Sequence, residues 1–270
     1  MTPETSRLAS ELLPLARNVA EQAGQLLMQR PAHFDLTEKS VAIDFATQMD
    51  KQAEALIVEN ILAARPDDGI IGEEGAARES RSGITWVIDP LDGTVNYFYG
   101  LPGWNVSIAA RDDQGSLVGV VYAPTINSLW HAVRGGGAFH NGNKIRATSD
   151  ISLDRALIGT GFAYDVADRT EQIAMASFLL PRVRDIRRMG SAAVDLCHVA
   201  MGSLDAYYER GLHEWDWAAG ALVATEAGAE VAHLAISGDG EGARKLTVAA
   251  GPGLFDALQE ALAGVADVEL

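Results

Sequence analysis

The sequence is poor in cysteine, since Cys197 is the only one among 270 residues. A single cysteine excludes an intrachain disulfide and a thiolate cage for a metal. Apolar neighbours at helical spacing, Val194 and Leu196, predict that this thiol is buried and structural. The six histidines contain no HExxH pairing, which argues against a zinc hydrolase of that type.

Positive charge is also scarce. The chain has 21 basic and 37 acidic residues, giving a formal net charge of -16. Such a field repels phosphate backbones, so we expect no nucleic-acid partner. A phosphorylated small molecule escapes this repulsion only where cations line its site. A site for such a molecule on this chain is therefore expected to contain metal ions.

Long hydrophobic runs are missing as well. No apolar stretch reaches the roughly 18 residues of a membrane span, and the acidic N-terminus has no apolar signal-peptide core. We therefore expect a cytoplasmic protein without a membrane partner. The run Gly135–Gly137 lacks a following Gly-Lys-Ser/Thr, so it predicts a turn and not a phosphate loop.

The periodicity of apolar residues divides the chain into two halves. Residues 1–148 show two amphipathic helices, short β-type runs and the hairpin signal Asn141-Gly142, which predicts an α+β half. Residues 149–270 alternate strands with helices, which predicts an α/β half. No low-complexity linker separates them, so we expect the halves to pack as one body.

The most informative segment runs from Trp86 to Tyr97, W-V-I-D-P-L-D-G-T-V-N-Y. We expect an apolar strand to end at Asp89, because Pro90 has no N–H for the ladder. Asp92 then follows near the strand end. A helix starting after Gly93 would point free N–H groups at the same place and favour an anion. The alternative is an ordinary turn rich in Asp, Pro and Gly.

Two further acidic clusters favour a functional site. Glu73-Glu74 follows another apolar run, and Asp216 lies in the segment from Glu214 to Gly220. Asp216 has an alternative interpretation as the N-cap of the next helix. Crowded carboxylates repel one another and raise their pKa values unless a cation neutralises them.

These motifs together resemble the inositol monophosphatase family. The segments that carry the resemblance are Gly72–Glu74, Trp86–Asn96, Gly190–Ala193, Asp205–Glu209 and Trp215–Gly220, in the family's order and spacing, over roughly residues 8 to 260. Lys39, Asp44, Thr47 and Asp50 fall where the family has a lysine and metal-site aspartates. The resemblance implies an α/β fold, a layered αβαβα sandwich. It also implies a homodimer and inhibition by Li⁺.

The resemblance implies Mg²⁺, two to three ions per site, and a role for each matching residue. Glu73, Asp89 and the carbonyl of Leu91 would hold one ion, and Asp89, Asp92 and Asp216 a second, with a weaker third near Glu73. Glu74, Thr94 and Asp50 would support the attacking water. The N–H groups of Gly93 and Thr94 would contact phosphate. Asp92, Ala192, Glu209 and Asp216 would receive the hydroxyl groups of a polyol such as inositol 1-phosphate.

Several alternatives stay open. An aspartyl-phosphate mechanism needs D-x-D-x-T, whereas this chain has D-x-x-D-G-T and would leave Glu73-Glu74 unexplained. Fructose 1,6-bisphosphate, 3′-phosphoadenosine 5′-phosphate and histidinol phosphate compete as substrates, and Arg187-Arg188 is close enough in sequence to serve a second phosphate. A non-catalytic binding protein is the alternative of another class. The 75–85 loop and the segment Gly159–Phe162 receive no role.

Overall fold

The computed structural model describes residues 3–39, 43–237 and 244–263. The helices are α1 (Pro3–Met28), α2 (Gln48–Ala64), α3 (Thr94–Tyr99), α4 (Val166–Leu179), α5 (Ala192–Ala200), α6 (Glu214–Glu226) and α7 (Phe255–Ala263). The strands of the first half are β1 (Leu36–Glu38), β2 (Phe45–Thr47), β3 (Gly69–Gly72), β4 (Ala77–Arg78), β5 (Thr85–Asp92), β6 (Asn105–Asp112), β7 (Gly115–Ala123), β8 (Ser128–Val133), β9 (Gly137–His140) and β10 (Asn143–Lys144). Those of the second half are β11 (Leu157–Thr160), β12 (Asp185–Arg187), β13 (Ala206–Arg210), β14 (Glu230–Ser237) and β15 (Arg244–Ala250).

The larger sheet has eight strands in the order β10-β9-β8-β7-β6-β5-β3-β4. Its pairs are antiparallel except β3 and β5, which run parallel with Gly72 opposite Ile88. Two parallel neighbours end at the same sheet edge. The acidic residues that follow β3 and those at the end of β5 are therefore brought side by side.

The smaller sheet has five strands in the order β12-β11-β13-β15-β14. The strand β11 is parallel to β12 and β13, while β15 is antiparallel to both of its neighbours. Separately, β1 and β2 form a two-stranded antiparallel ribbon before α2.

The helices and sheets stack in five layers. One core joins α1 and α2 to the outer face of the larger sheet, with Leu12, Ile57 and Trp86 fully buried. A second core packs α5 and α6 between the two sheets, and a third packs α4 and α7 on the outer face of the smaller sheet. The order α, β, α, β, α confirms the predicted layered α/β sandwich.

The central helix α6 approaches its neighbours through their backbones. A Cβ on Gly119 of β7 would lie 2.8 Å from the carbonyl oxygen of Ala219. A Cβ on Gly220 would lie 2.9 Å from the carbonyl oxygen of Ala193 in α5. Such contacts leave no room for side chains, so these two glycines fix the position of α6.

Local expectations have mixed outcomes. The hairpin is confirmed, with positive φ at Asn141 and Gly142, and so is the buried thiol of Cys197. The turn at Gly135–Gly137 is confirmed as well, because the Gly136 N–H donates to the Val133 carbonyl at 2.7 Å and φ is positive at Gly135 and Gly137. No described helix is long and apolar enough to cross a bilayer. The division at residues 148 and 149 stays a prediction, and its end residues 1–2 and 264–270 lie outside the described ranges.

Two element boundaries were predicted wrongly. The strand β5 does not end at Asp89; pairing with β6 is interrupted after Asp89 and resumes at Asp92 opposite Asn105. Pro90 does break the ladder, but only locally, because the irregularity absorbs it. The second error concerns Asp216, which is not an N-cap: α6 begins at Glu214, and Asp216 is its third residue.

Candidate active site

A cavity of about 520 Å³ opens where the two sheets meet. Nine of the eleven predicted site residues line it: Glu73, Asp89, Leu91, Asp92, Gly93, Thr94, Ala192, Glu209 and Asp216. The other two, Asp50 and Glu74, lie behind the wall and touch residues that line it, Thr94 and Lys39 respectively. The fold thus gathers the predicted residues from six separate segments of the chain.

The interruption in β5 turns the carboxyls of Asp89 and Asp92 toward the cavity. Asp89 is buried, and its Oδ1 accepts a hydrogen bond from the Leu91 N–H at 3.1 Å. Burial raises the pKa of Asp89 well above its usual range, and the charges of Glu73, Asp92 and Asp216 raise it further. An acid in this position is costly to ionise unless a cation shares the site.

Asp92 is held by three donors to one oxygen. Its Oδ2 accepts hydrogen bonds from Ser191 Oγ at 2.5 Å, the Ala193 N–H at 3.1 Å and Asn105 Nδ2 at 3.2 Å. Burial raises the pKa of Asp92 to about 6, although these donors act in the opposite direction. Because Oδ2 is saturated by protein donors, Oδ1 is the oxygen left for a cation or substrate.

Glu73 and Glu74 share one basic partner. The Nζ of Lys39 lies 2.8 Å from Glu73 Oε1 and 2.6 Å from Glu74 Oε1. Burial alone would lower the pKa of Lys39, but the two carboxylates outweigh it and raise the pKa. Lys39 is therefore a permanent cation at the acidic end of the cavity.

Asp50 connects α2 to the start of α3. Its Oδ2 accepts hydrogen bonds from the N–H and Oγ1 of Thr47, at 2.8 Å and 2.6 Å, which completes a capping box at the start of α2. Its Oδ1 lies 3.0 Å from Thr94 Oγ1, which is also 3.0 Å from the Leu91 carbonyl oxygen. Burial raises the pKa of Asp50 to about 6. Asp50 is thus both the acidic member of the capping box and the partner of a site hydroxyl.

Asp216 enters the cavity from the first turn of α6. Its Oδ2 accepts a hydrogen bond from the His213 N–H at 2.6 Å, which fixes the carboxyl at the helix start. Burial raises the pKa of Asp216 well above its usual range, with Glu73 and Asp92 as the leading charges. This carboxyl therefore faces the same acidic group as Asp89.

Glu209 lines the cavity from β13, on the side of the smaller sheet. Its Oε2 accepts a hydrogen bond from the Tyr207 hydroxyl at 2.5 Å, and burial raises its pKa to about 7. A Cβ on Gly161 would lie 2.0 to 2.2 Å from the atoms of the Glu209 carboxyl group. The Gly159–Phe162 segment, which had no predicted role, therefore makes room for Glu209.

Several residues of the site were not found from the sequence. Tyr207, Asn105 and Ser191 support predicted carboxylates, yet nothing in their local patterns marks them as partners. Tyr164, which also lines the cavity, was missed as well, whereas Arg188 lines it and was already a candidate for a second phosphate. Of the residues placed by resemblance near the N-terminus, Lys39 and Asp44 line it, whereas Thr47 lies behind Asp50.

The donor set fits a divalent cation of the hard type. Oxygen ligands from carboxylates and backbone carbonyls suit Mg²⁺, and burial together with the charge of Glu73 raises the pKa values of Asp89, Asp92 and Asp216 at the cavity wall. Within the described ranges no three acidic, histidine or cysteine side chains already stand in a ligand arrangement. Glu73 is instead paired with Lys39, so the carboxylates would have to turn toward an entering ion.

Comparisons with known proteins agree with this geometry. The model of the inositol monophosphatase family matches residues 8–267. The chain is 45% identical to an inositol-1-monophosphatase of Mycobacterium leprae over 233 residues, which are 83% of this chain and 80% of that protein. It is also 42% identical to a protein named Nus factor SuhB of Haemophilus influenzae over 222 residues, 80% of this chain and 83% of that one.

A solved structure shows the same fold. An inositol monophosphatase from Anabaena superposes with a TM-score of 0.81 at 32% identity, over 94% of this chain and 96% of that chain. The match therefore extends through all five layers and both sides of the cavity.

Proposed function

The chain belongs to the inositol monophosphatase family, and from that premise we propose that it hydrolyses polyol phosphate monoesters, preferring inositol 1-phosphate, with Mg²⁺. The observation that carries the proposal is the convergence of Glu73, Asp89, Asp92 and Asp216 on one cavity that Glu209 also lines. The family generally uses divalent metal ions, and such ions supply the positive charge that this set of acids lacks.

We assign two to three Mg²⁺ ions to the acidic end. Glu73, Asp89 and the Leu91 carbonyl would hold the first, with a weaker third near Glu73. Asp89, Asp92 and Asp216 would hold the second. When bound, such ions supply Lewis-acid stabilisation and a water of lowered pKa. Two observations support this division. The three protein donors of Asp92 all bind its Oδ2, and Asp89 lies among the charges of Glu73, Asp92 and Asp216.

The residues around the ions would position the reactants. The hydrogen bond between Thr94 and Asp50 supports a role for this pair, with Glu74, in orienting the attacking water. Gly93 precedes α3 with φ 85°, so the N–H groups of Gly93 and Thr94 lie at a helix start and suit a phosphate oxygen.

The Glu209 side of the cavity would bind the alcohol. Glu209 offers an acceptor for hydroxyl groups, and Ala192 lies at the first turn of α5 on the same wall. With Asp92 and Asp216 these residues suit a neutral polyol. Arg188, which lines the same cavity, favours the runner-up class of substrates with a second anionic group, such as fructose 1,6-bisphosphate.

A panel of phosphate esters tests the proposal. Phosphate release with Mg²⁺ is measured from inositol 1-phosphate, fructose 1,6-bisphosphate, histidinol phosphate and 3′-phosphoadenosine 5′-phosphate. Asp92→Asn is compared with Asp113→Asn, an exposed position outside the site. A preference for inositol 1-phosphate, abolished only by Asp92→Asn and blocked by Li⁺, supports the proposal. A preference for another ester overturns the substrate.

A second candidate comes from the relatives named Nus factor SuhB, 42% identical in the case cited above. That name favours a non-catalytic binding role in which the fold is kept for a partner. If the folded protein releases phosphate from none of the four esters, we would assign it to the non-catalytic binding proteins. We further propose a cytoplasmic homodimer, which the family membership supports.

A further inference from the structure

Glu54 is a buried acid that lies one helical turn after Asp50 in α2. Its two carboxyl oxygens have separate backbone partners. Oε2 accepts a hydrogen bond from the Glu74 N–H at 2.9 Å, and Oε1 accepts one from the Ala76 N–H at 3.0 Å. A single side chain thus holds both ends of the turn that follows Glu73.

The turn is shaped around this carboxylate. A Cβ on Gly72 would lie 2.2 Å from Glu54 Oε2 and 2.8 Å from its Cδ, so the Glu54 carboxylate could not keep this position beside a larger residue. The Gly72 N–H donates to the Ala76 carbonyl at 2.7 Å, which closes the turn from the other side. The glycine before the acidic pair therefore leaves the space that the Glu54 carboxylate occupies.

Burying an acidic side chain for a purely structural contact costs free energy. Burial raises the pKa of Glu54, and the charges of Glu74 and Glu73 raise it further, while the two N–H donors lower it. Among the described ion pairs, none joins Glu54 to a basic residue. The two N–H donors meet different oxygens of Glu54, however, and an amide side chain would turn an NH₂ donor toward one of them. The carboxylate is therefore what the geometry demands.

The same helix also fixes the other wall of the site. Asp50 contacts Thr94 and Glu54 contacts Glu74, and residues four apart lie on one helical face. The helix α2 thus sets the distance between the Glu73-Glu74 turn and the start of α3. An error in either contact would displace carboxylates of the acidic end relative to one another.

We propose that Glu54 is a positioning residue that holds the Glu73-Glu74 turn in place and thereby sets the affinity of the acidic end for divalent cations. The proposal rests on the proposed function of that end as a cation site. Glu54 does not line the cavity, so it acts through the backbone of its neighbours. Partners that support metal ligands in this way typically contribute 10- to 100-fold in metal affinity.

The test is Mn²⁺ binding to the full chain, followed by the loss of the free-ion electron paramagnetic resonance signal, without substrate. Glu54→Gln is compared with wild type and with Glu59→Gln, an exposed position on the same helix. We expect Mn²⁺ affinity about 10- to 100-fold weaker in Glu54→Gln and unchanged in Glu59→Gln. In turnover, the Mg²⁺ concentration for half-maximal rate should rise while kcat at saturating Mg²⁺ changes much less.

Each outcome has one meaning. If Glu54→Gln is less stable than wild type but binds Mn²⁺ within twofold of the wild-type affinity, Glu54 is structural only and the proposal is overturned. Absence of Mn²⁺ binding by wild type instead overturns the proposed cation site itself. If Glu54→Gln does not fold, amide hydrogen exchange on metal-free wild type decides: protected Glu74 and Ala76 amides support the contact, and rapid exchange at both refutes it.

Discussion

At the scale of single residues, the acids of the site lower the stability of the metal-free fold while they serve the proposed reaction. Asp89, Asp92 and Asp216 are acids whose surroundings disfavour their charge, so each destabilises the metal-free fold at neutral pH. Such groups persist at functional sites because a bound partner offsets their cost. Removing one charge should therefore improve the metal-free fold and damage the reaction.

Asp92→Asn is expected to show both effects. Activity on the preferred ester should fall at least about 100-fold, since a direct ligand contributes no less than a supporting residue. The metal-free melting temperature should rise, because a buried charge is removed while an acceptor oxygen stays for Ser191. Differential scanning fluorimetry with EDTA and an initial-rate assay check the two signs. A lowered melting temperature in EDTA would contradict the electrostatic argument.

Tyr207→Phe tests the alcohol end. It removes the hydroxyl that donates to Glu209 and leaves the ring in the core between the sheets. We expect KM for the polyol ester to rise about tenfold, the effect of one hydrogen bond to a charged group, with a smaller change in kcat. Tyr208→Phe on the same strand, whose side chain faces the other core, is the control. Equal KM values in the two variants would argue against the role of Glu209.

At the scale of secondary-structure elements, α6 carries Asp216 to the cavity through close backbone packing. Two effects compete in Gly119→Ala: alanine improves a strand position by about 0.5–1 kcal/mol, whereas overpacking costs about 1–3 kcal/mol. The added Cβ would lie 2.8 Å from a backbone oxygen, which cannot rotate away as a side chain can. The cost of overpacking should therefore exceed the gain from alanine in the strand.

We therefore expect Gly119→Ala to lower the free energy of unfolding by roughly 1–2 kcal/mol. Urea unfolding of the metal-free protein measures this change. An increase in stability would show that α6 can shift at little cost, and the account of how Asp216 is fixed would then fail.

Elements also show where sequence reasoning succeeds. The segment Trp86–Tyr97 and the pair Glu73-Glu74 were predicted to place acids at strand ends in one site, because each is a continuous run. The structure adds that the two strands are parallel neighbours, which brings these ends together. The continuation of β5 to Asp92 was missed, since a proline in a strand predicts an end and not a local irregularity. The donors to Asp92 lie 13 and 99 residues away, at Asn105 and Ser191, and no local pattern encodes such distances.

At the scale of the whole molecule, the five-layer order was predicted, but only through the resemblance. Apolar periodicity identifies helices and strands and does not say which faces meet. The insertion of α5 and α6 between two sheets depends on contacts such as Gly220 with Ala193, which appear only once the chain is folded. Glu54 is the clearest example, because by pattern it is only an acid on a helix.

Raised carboxyl pKa values give the metal-free protein a predictable pH dependence. Asp50 and Glu209 have folded pKa values of about 6 and about 7, above their ordinary values of 3.8 and 4.5. The folded state then binds more protons than the unfolded state in this range, so the free energy of unfolding falls as pH rises. The contribution is present below about pH 4 and lost by about pH 7.

Urea unfolding in EDTA at several pH values between 4.5 and 7.5 measures this slope. For Asp50 the loss is of the order of 3 kcal/mol. Asp50→Asn should flatten the slope, because the titrating group is gone. Identical slopes in wild type and variant would contradict the assignment.

The central claim is that a divalent cation completes this acidic cavity for phosphate-ester hydrolysis. The most direct measurement is phosphate release from inositol 1-phosphate by protein stripped with EDTA and then titrated with Mg²⁺. The account predicts no release without the ion, a saturable rise with it, and no rise in Asp92→Asn. Release at full rate without a divalent ion, or equal rates in Asp92→Asn, would contradict it.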